Sequence, residues 1–223
     1  MLLAIETSGT LGSVAIADDQ RLIVERSLQT TGRRHAQTVV AEVDDILRCC
    51  SFAPSDITAV AVSIGPGSFT GLRVGLVFAK TFAWLNQAKL VAVDTLRAVA
   101  QQAPSEYETV TAVVDAQRNE LFAASYRWNP ETGIRDAVSC IRICTLTDLR
   151  TDFPLVGPGI QKHRPTLQAT HTLLDEALCQ PRASSVAAIG LLMVRLGQTS
   201  VPETLEPVYV RLSYAEEKRF VGE

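Results

Sequence analysis

Histidine is scarce in this 223-residue chain. His35, His163 and His171 are its three histidines, far apart in sequence, and no His-x-x-x-His pair exists. The helical histidine pair of protease-type zinc and iron sites is therefore missing, and the field of enzymes that use a histidine base is thinned. A basic excess is missing too. Lys+Arg number 21 and Asp+Glu 24, a formal net charge of −3, whereas a free-standing nucleic-acid binder normally carries positive charge. A protein that reaches RNA through a partner is not excluded. The five cysteines, Cys49, Cys50, Cys140, Cys144 and Cys179, contain no C-x-x-C spacing, so neither a disulfide scaffold nor a structural zinc site is expected. No run of eighteen apolar residues occurs, and no membrane span is expected. Met1 leads into Leu2-Leu3-Ala4-Ile5 and an acid at Glu6, without the basic flank or long apolar core of a signal peptide. A soluble, reducing, cytoplasmic setting is the expectation. The G-x-S-x-G nucleophile elbow is absent as well, because Ser63 and Ser68 each lack a flanking glycine.

What is present is a normal complement of core-forming residues, 47% hydrophobic against 20% charged, enough for one large domain or two small ones. Three short strands open the chain at 2–7, 12–18 and 22–28. Their hairpin-length turns make them antiparallel neighbours, unlike a βαβ nucleotide fold. An amphipathic helix follows, with Ala36, Val39, Val40, Val43, Ile46, Leu47 and Cys50 on one apolar face. The nearly continuous apolar run 57–64 reads as a central strand. A helix over 69–86, a strand over 90–93 and a short helix over 96–102 come next. The polar break after Pro104 divides the chain into an N-terminal lobe, 1–104, and a smaller C-terminal lobe, 105–223. In the second half, strands are expected over 111–115, 120–128, 139–145 and 155–159. A helix over 185–196 has Ser184 as its N-cap, and an extended tail covers 206–212. Strand 2–6 with its return at 13–17 can be laid on strand 111–115 with its return at 122–126. Each first strand ends in an acid, Glu6 or Asp115, which suggests a duplicated domain.

Three features bear on function. The segment Gly65-Pro66-Gly67-Ser68-Phe69-Thr70-Gly71 joins a buried strand to a helix, where backbone N–H groups can hold an anion. It lacks the Lys-Ser/Thr of a P-loop and the spacing of a dinucleotide fingerprint. It therefore reads either as an anion cradle, with Arg73 as its nearby cation, or as a tight turn that lets helix and strand pack closely. The helix after it carries a stripe of small residues, Gly71, Gly75, Ala79 and Ala83. Each glycine costs roughly 1 kcal/mol in a helix against alanine, so close packing must offset it, within the domain or at a subunit interface. Finally, Glu6 and Asp115 would face one cleft in a duplicated fold. There they could hold a metal through water or act as a base, or simply bond a turn.

Four segments carry a family resemblance: 4–8 (Ala-Ile-Glu-Thr-Ser), the glycine loop extended through Gly75, 114–120 (Val-Asp-Ala-Gln-Arg-Asn-Glu) and 206–211 (Glu-Pro-Val-Tyr-Val-Arg). They resemble the TsaB (YeaZ) family, nearly end to end. The resemblance implies an α/β fold of two RNase H-like lobes in the actin/Hsp70/sugar-kinase (ASKHA) architecture, the second lobe reduced. It also implies a non-catalytic scaffold for TsaD, which with the ATPase TsaE transfers a threonylcarbamoyl group to an adenosine beside the tRNA anticodon. TsaD-type proteins place two metal-binding histidines, four apart, where this chain has Thr95 and Val99. Neither replaces imidazole, so no metal, no cofactor and no catalytic residue is expected. The resemblance places Val39, Val40, Val43, Leu72, Gly75, Leu76 and Ala79 in or beside the helical bundle formed with TsaD. The same surface is open to a homodimer when TsaD is absent. Contact with tRNA would run through TsaD and contact with TsaE through the complex. The glycine loop (Gly65, Gly67, Ser68, Gly71, Arg73) and a vestigial cleft at Glu6 and Asp115 complete the candidate residues. The rival readings are an ATP-dependent phosphotransferase of the same architecture and a glycoprotease-like metallopeptidase.

Overall fold

The computed structural model describes residues 1–28 and 35–210, with the side chains of 35–37 left aside. Strands β1 (Leu2–Glu6), β2 (Ser13–Ala17) and β3 (Leu22–Ser27) form the expected meander, followed by α1 (His35–Cys49), β4 (Ala59–Ser63), α2 (Phe69–Leu85) and β5 (Lys89–Val93). The first sheet runs in the order β3-β2-β1-β4-β5. β1 pairs antiparallel with β2 and parallel with β4. β1, β2 and β4 are buried at every position, because helices cover both faces of the sheet, as a parallel pairing requires.

The second half holds α3 (Thr95–Ala100), β6 (Thr109–Asp115), β7 (Glu120–Asn129), β8 (Ile134–Ala137), β9 (Arg142–Thr145), β10 (Leu155–Val156), α4 (Gly159–Gln168) and α5 (Ala183–Arg195). Its sheet runs β10-β6-β7-β8, with β9 also pairing with β7. β6 and β7 repeat the antiparallel pairing of β1 and β2, and β10 repeats the parallel partner, β4, in a strand of two residues. The duplication legible in the sequence is thus present, with a reduced second copy.

The division at 104/105 needs correction at both ends. α3 lies before it, yet its Leu96, Val99 and Ala100 pack with Val110, Ala112 and Phe122 of the second lobe. α5 lies far beyond it, yet Val186, Ala187 and Ile189 pack on Leu2, Ala15, Ala61 and Val91 of the first sheet. The chain crosses between the lobes near Asp94 and again near Arg182, so each lobe is completed by a helix from beyond the boundary. Ser184 is not the cap of α5. The helix starts at Ala183, where the free N–H of Ala183 donates to Ser13 Oγ at 2.8 Å and that of Ser184 to Glu25 Oε1 at 3.0 Å. Acceptors from β2 and β3 thus satisfy the open N-terminus of α5.

Three other differences have plain causes. β8 was not expected, because Arg135 and Asp136 break its apolar pattern. α4 was not expected, because Pro165 and a run of polar residues obscure the inward positions Ile160, His163 and Leu167. The strand expected over 139–145 is confined to Arg142–Thr145, so Cys140 is exposed outside it while Cys144 is buried.

Arg135 is fully buried without a carboxylate. Its guanidinium donates to the carbonyls of Pro104 and Tyr107, each at 2.8 Å, and to those of Ala103 and Glu108, each at 3.2 Å. One side chain therefore fixes the whole connection from α3 to β6. Removing it leaves several buried carbonyls unpaired, at about 1–3 kcal/mol for each group that water cannot reach. Arg135→Met is expected to lower the unfolding free energy by about 3 kcal/mol or more, read as a shift in the urea midpoint.

Candidate functional site

The glycine loop is built for close packing. Gly67 lies against the Ser8 turn, where an added Cβ would meet the Ser8 carbonyl oxygen at 2.6 Å. Gly65 has a φ of 119°, open to glycine and strained for other residues. Three N–H groups of the loop are engaged. That of Gly65 donates to Thr95 Oγ1 at 3.2 Å, that of Ser68 to the Ser8 carbonyl at 2.7 Å and that of Gly71 to Ser68 Oγ at 3.2 Å. Arg73 is not turned to an anion either. Its Nε donates to Tyr209 Oη at 2.9 Å, and its guanidinium stacks 3.8 Å from the centroid of the Phe69 ring. Of the two readings of this loop, the tight turn is the one the geometry supports.

The small-residue stripe of α2 faces inward. A Cβ on Gly71 would lie 2.0 Å from the Thr7 carbonyl oxygen, and one on Gly75 would lie 2.2 Å from Thr7 Oγ1. The Thr7 hydroxyl in turn donates to the Gly71 carbonyl at 2.8 Å. The close approach that offsets the two glycines is therefore to β1 and not to a second protein. Val39, Val43, Leu72, Gly75, Leu76 and Ala79 are buried in the chain's own first lobe. Val40 alone of the seven is exposed, at 57%. The outer face of α2 was missed, although the same helical period marks it. There Val77, Trp84 and Leu85 are 64%, 70% and 66% exposed.

The two strand-end acids part company. Asp115 faces the cleft between the lobes, where Lys162 Nζ lies 3.2 Å from its Oδ2 and the Gln117 N–H donates to its Oδ1 at 2.9 Å. Glu6 is fully buried beneath Ser8 and does not line the cleft. Its Oε1 accepts from both the N–H and the hydroxyl of Ser8 at 2.5 Å, while Oε2 has no partner. Burial pushes the Glu6 carboxyl above its ordinary range, with the bonds from Ser8 opposing part of that rise. A pair of carboxylates sharing one cleft is thus not formed. The cleft has a volume of about 1120 Å³ and is lined by Ser8, Gly67, Asp115, Gln117, Lys162 and Gln180, among others. Gln117, Arg118 and Asn119 at its rim have positive φ.

Among the described residues no group of three or more His, Cys, Asp or Glu is placed to hold a metal ion. At the two positions where the resemblance expects metal ligands in TsaD, the side chains serve packing. Thr95 is buried and bonded to Gly65, and Val99 is fully buried beside Gly157. No helix among the described residues is long and apolar enough to cross a membrane. Sequence reasoning also missed the bond from Tyr126 Oη to Asp94 Oδ2. It raises the Tyr126 hydroxyl well above its ordinary value, together with burial as the larger cause.

Comparisons with known proteins agree with this geometry. A family model described as TsaD, tRNA N6-adenosine threonylcarbamoyltransferase, matches residues 29–216. The chain is 32% identical over 228 residues to an Escherichia coli protein named tRNA threonylcarbamoyladenosine biosynthesis protein TsaB, with 97% of each chain covered. It is 27% identical to the Bacillus subtilis protein of the same name, covering 97% of this chain and 96% of that one. Among solved structures it resembles YeaZ from Pseudomonas aeruginosa, with a TM-score of 0.81 and 25% identity over 94% of this chain and 99% of that one. A Streptococcus equi tRNA N6-adenosine threonylcarbamoyltransferase is 31% identical over 139 residues, covering 54% of this chain and 41% of that protein.

Two measurements check the site. Gly71→Ala and Gly75→Ala should each destabilise the fold by about 1–3 kcal/mol through overpacking. Thr7→Ala, which removes the hydroxyl and leaves the carbonyl, should rescue Gly75→Ala and not Gly71→Ala in thermal melts. For Glu6, a native pKa raised above 4.5 means that its contribution to stability is complete below the unfolded value and is lost as pH rises through the native value. Glu6→Gln should therefore gain in Tm relative to the parent chain as pH is raised from about 4 to about 8. A difference that is flat with pH would contradict the burial argument.

Proposed function

Because the chain belongs to the TsaB family of tRNA threonylcarbamoyladenosine biosynthesis proteins, itself related to TsaD, we propose that it is the stabilising, non-catalytic subunit that pairs with TsaD. The observation that carries this reading is the division of labour on α2. Its small residues are consumed by contact with Thr7 at the end of β1, while Val77, Trp84 and Leu85 form an apolar outer face that stays exposed among the described residues. Large exposed apolar patches mark protein interaction sites, and tryptophan is among the residues that dominate interface energies. Val40, on the neighbouring α1, is exposed as well.

The enzyme's chemistry belongs, on this reading, to TsaD. Thr95 and Val99 support packing, Glu6 is sealed, and Asp115 is paired with Lys162. TsaE joins through the complex, and the net charge of −3 suits a subunit that leaves RNA to its partner. In the absence of TsaD, the same apolar face would be covered by a second copy of the chain. The phosphotransferase reading finds little support in the glycine loop, which lacks the Lys-Ser/Thr of a P-loop and has the N–H groups of Gly65, Ser68 and Gly71 bonded within the chain.

The test is reconstitution. The purified chain should transfer no threonylcarbamoyl group to tRNA by itself and should form a stoichiometric complex with TsaD that does. Robust transfer by the chain alone would overturn the assignment. Trp84→Asp, at a position 70% exposed, should leave the melting temperature within a few degrees and weaken the complex at least ten-fold in a titration. A variant that binds TsaD as tightly as the parent chain would move the interface elsewhere.

A further inference from the structure

We infer that the angle between the two lobes is locked, so that the interlobe cleft is a fixed structural seam and does not open and close. Two-lobed proteins ordinarily move about their hinges, because the surfaces between domains are small and polar. This chain joins its lobes through four sets of contacts, three on residues 94–100 and one on residues 205–210.

The first joint is α3, shared between the lobes. Its Leu96, Val99 and Ala100 enter the apolar cluster of the second lobe, while its Ala98 enters the cluster formed by α5 and the first sheet. Ile134 of β8 joins Ala98 in that first-lobe cluster. A sliding motion would therefore expose buried apolar surface on both sides of α3. The second joint is polar and sits at the crossing itself. The Thr95 N–H donates to the Gly65 carbonyl at 2.9 Å, and Thr95 Oγ1 accepts from the Gly65 N–H at 3.2 Å. The start of α3 is thereby clasped to the glycine loop of the first lobe. The third is the bond from Tyr126 on β7 to Asp94, whose other oxygen caps α3 by accepting from the Leu96 N–H at 2.8 Å. Asp94 is the last residue before α3, so this bond ties the crossing strand directly to the second sheet.

The fourth joint lies across the mouth of the cleft. The Lys80 ammonium donates to the Leu205 carbonyl at 3.1 Å, and the Val208 N–H donates to the Ile64 carbonyl at 2.7 Å. Tyr209 lies 4.9 Å from Phe69, ring to ring, and Val210 packs against the apolar cluster of the second lobe. Residues 205–210 thus strap the first lobe to the second beside the clasp, where the Val208 carbonyl lies close to Gly65. The crossing is thus held by packing, by the clasp and by the strap together, and of the positions that would bear metal ligands in the related enzyme Thr95 serves the clasp and Val99 the packing. This inference rests on the chain's internal contacts and stands whether or not TsaD is the partner.

A distance measurement across the cleft tests it. Spin labels go on Thr10→Cys and Gln161→Cys in the full chain, with Cys49, Cys50 and Cys140 replaced by serine. One narrow distance distribution is expected, unmoved by millimolar magnesium–ADP. A broad or multi-peaked distribution, or one that shifts with the nucleotide, would overturn the lock. The triple variant Thr95→Val, Tyr126→Phe, Val210→Ser should broaden the distribution at least two-fold, and a width equal to the parent's would also overturn it. Should that variant fail to fold, Tyr126→Phe alone removes one oxygen. It should speed amide hydrogen exchange at Thr95 and Leu96 about ten-fold, and unchanged exchange there would refute the role given to Asp94.

Discussion

The contact between Thr7 and the first turns of α2 sets the geometry of the first lobe. The Thr7 carbonyl and hydroxyl occupy the space where Cβ atoms of residues 71 and 75 would stand, so the helix can sit on β1 only with glycine at both places. That approach fixes the roll of α2 about its axis. With 3.6 residues per turn, seating Gly71 and Gly75 on β1 also turns Leu72, Leu76, Ala79 and Ala83 inward and leaves Val77, Trp84 and Leu85 outward. The outer apolar face is a geometric consequence of the inner close contact. The two readings of the small-residue stripe, internal packing or partner interface, were never exclusive for the helix. They apply to opposite sides of it.

A second constraint is the exchange of helices between lobes. α3 covers the second sheet and α5 the first, and the N-terminus of α5 is satisfied by Ser13 and Glu25 from strands nearly the full chain length away. Neither lobe buries its core without a segment from beyond the crossing. The lobes therefore depend on each other for stability, and the seam between them belongs to the core as much as to the surface. Arg135 serves the same end in the second lobe, since four carbonyls of the connection 103–108 converge on one guanidinium. A buried cation without a counter-ion is tolerable only because carbonyl dipoles replace the water it loses.

The sequence revealed what depends on local period and turn chemistry. The meander, the length of α2 and the duplicated strand–acid–turn pattern follow from spacing, and the structure places each within a residue or two; of the apolar face expected on α1, Val39, Val43, Ile46 and Leu47 are buried, Val40 is exposed and the side chain of Ala36 lies outside the described residues. What depends on contacts between distant residues was not legible. The stripe on α2 was visible, but which neighbour filled it was not, since Thr7 lies 64 positions away from Gly71. Periodicity alone marks Val39 and Val43 as apolar without saying whether they face a sheet or another protein. α4 was hidden because its inward positions include His163 and because Pro165 usually ends a helix. The lobe boundary was misdrawn for a related reason: a polar break such as 104–108 marks a turn in the chain, while lobe membership is decided by which sheet a helix buries its apolar face against.

Glu6 and Asp115 occupy equivalent places in the two halves, and their different fates bear on what the fold does. A cleft acts chemically when groups at its base are free to meet a substrate and to change protonation state as the reaction proceeds. Glu6 spends its Oε1 on the Ser8 N–H and hydroxyl and is sealed from the cleft. Asp115 is held by Lys162 and by the Gln117 N–H. Thr95 and Val99 are given to the seam, and the loop amides at Gly65, Ser68 and Gly71 are bonded within the chain. These polar groups thus stabilise the chain's own conformation. Val77, Trp84 and Leu85, among the most exposed of the large apolar side chains, lie on the outside of α2. On the proposed reading, the interior would fix shape and the exterior would meet the partner, and a rigid interior would lower the entropic cost of presenting that exterior.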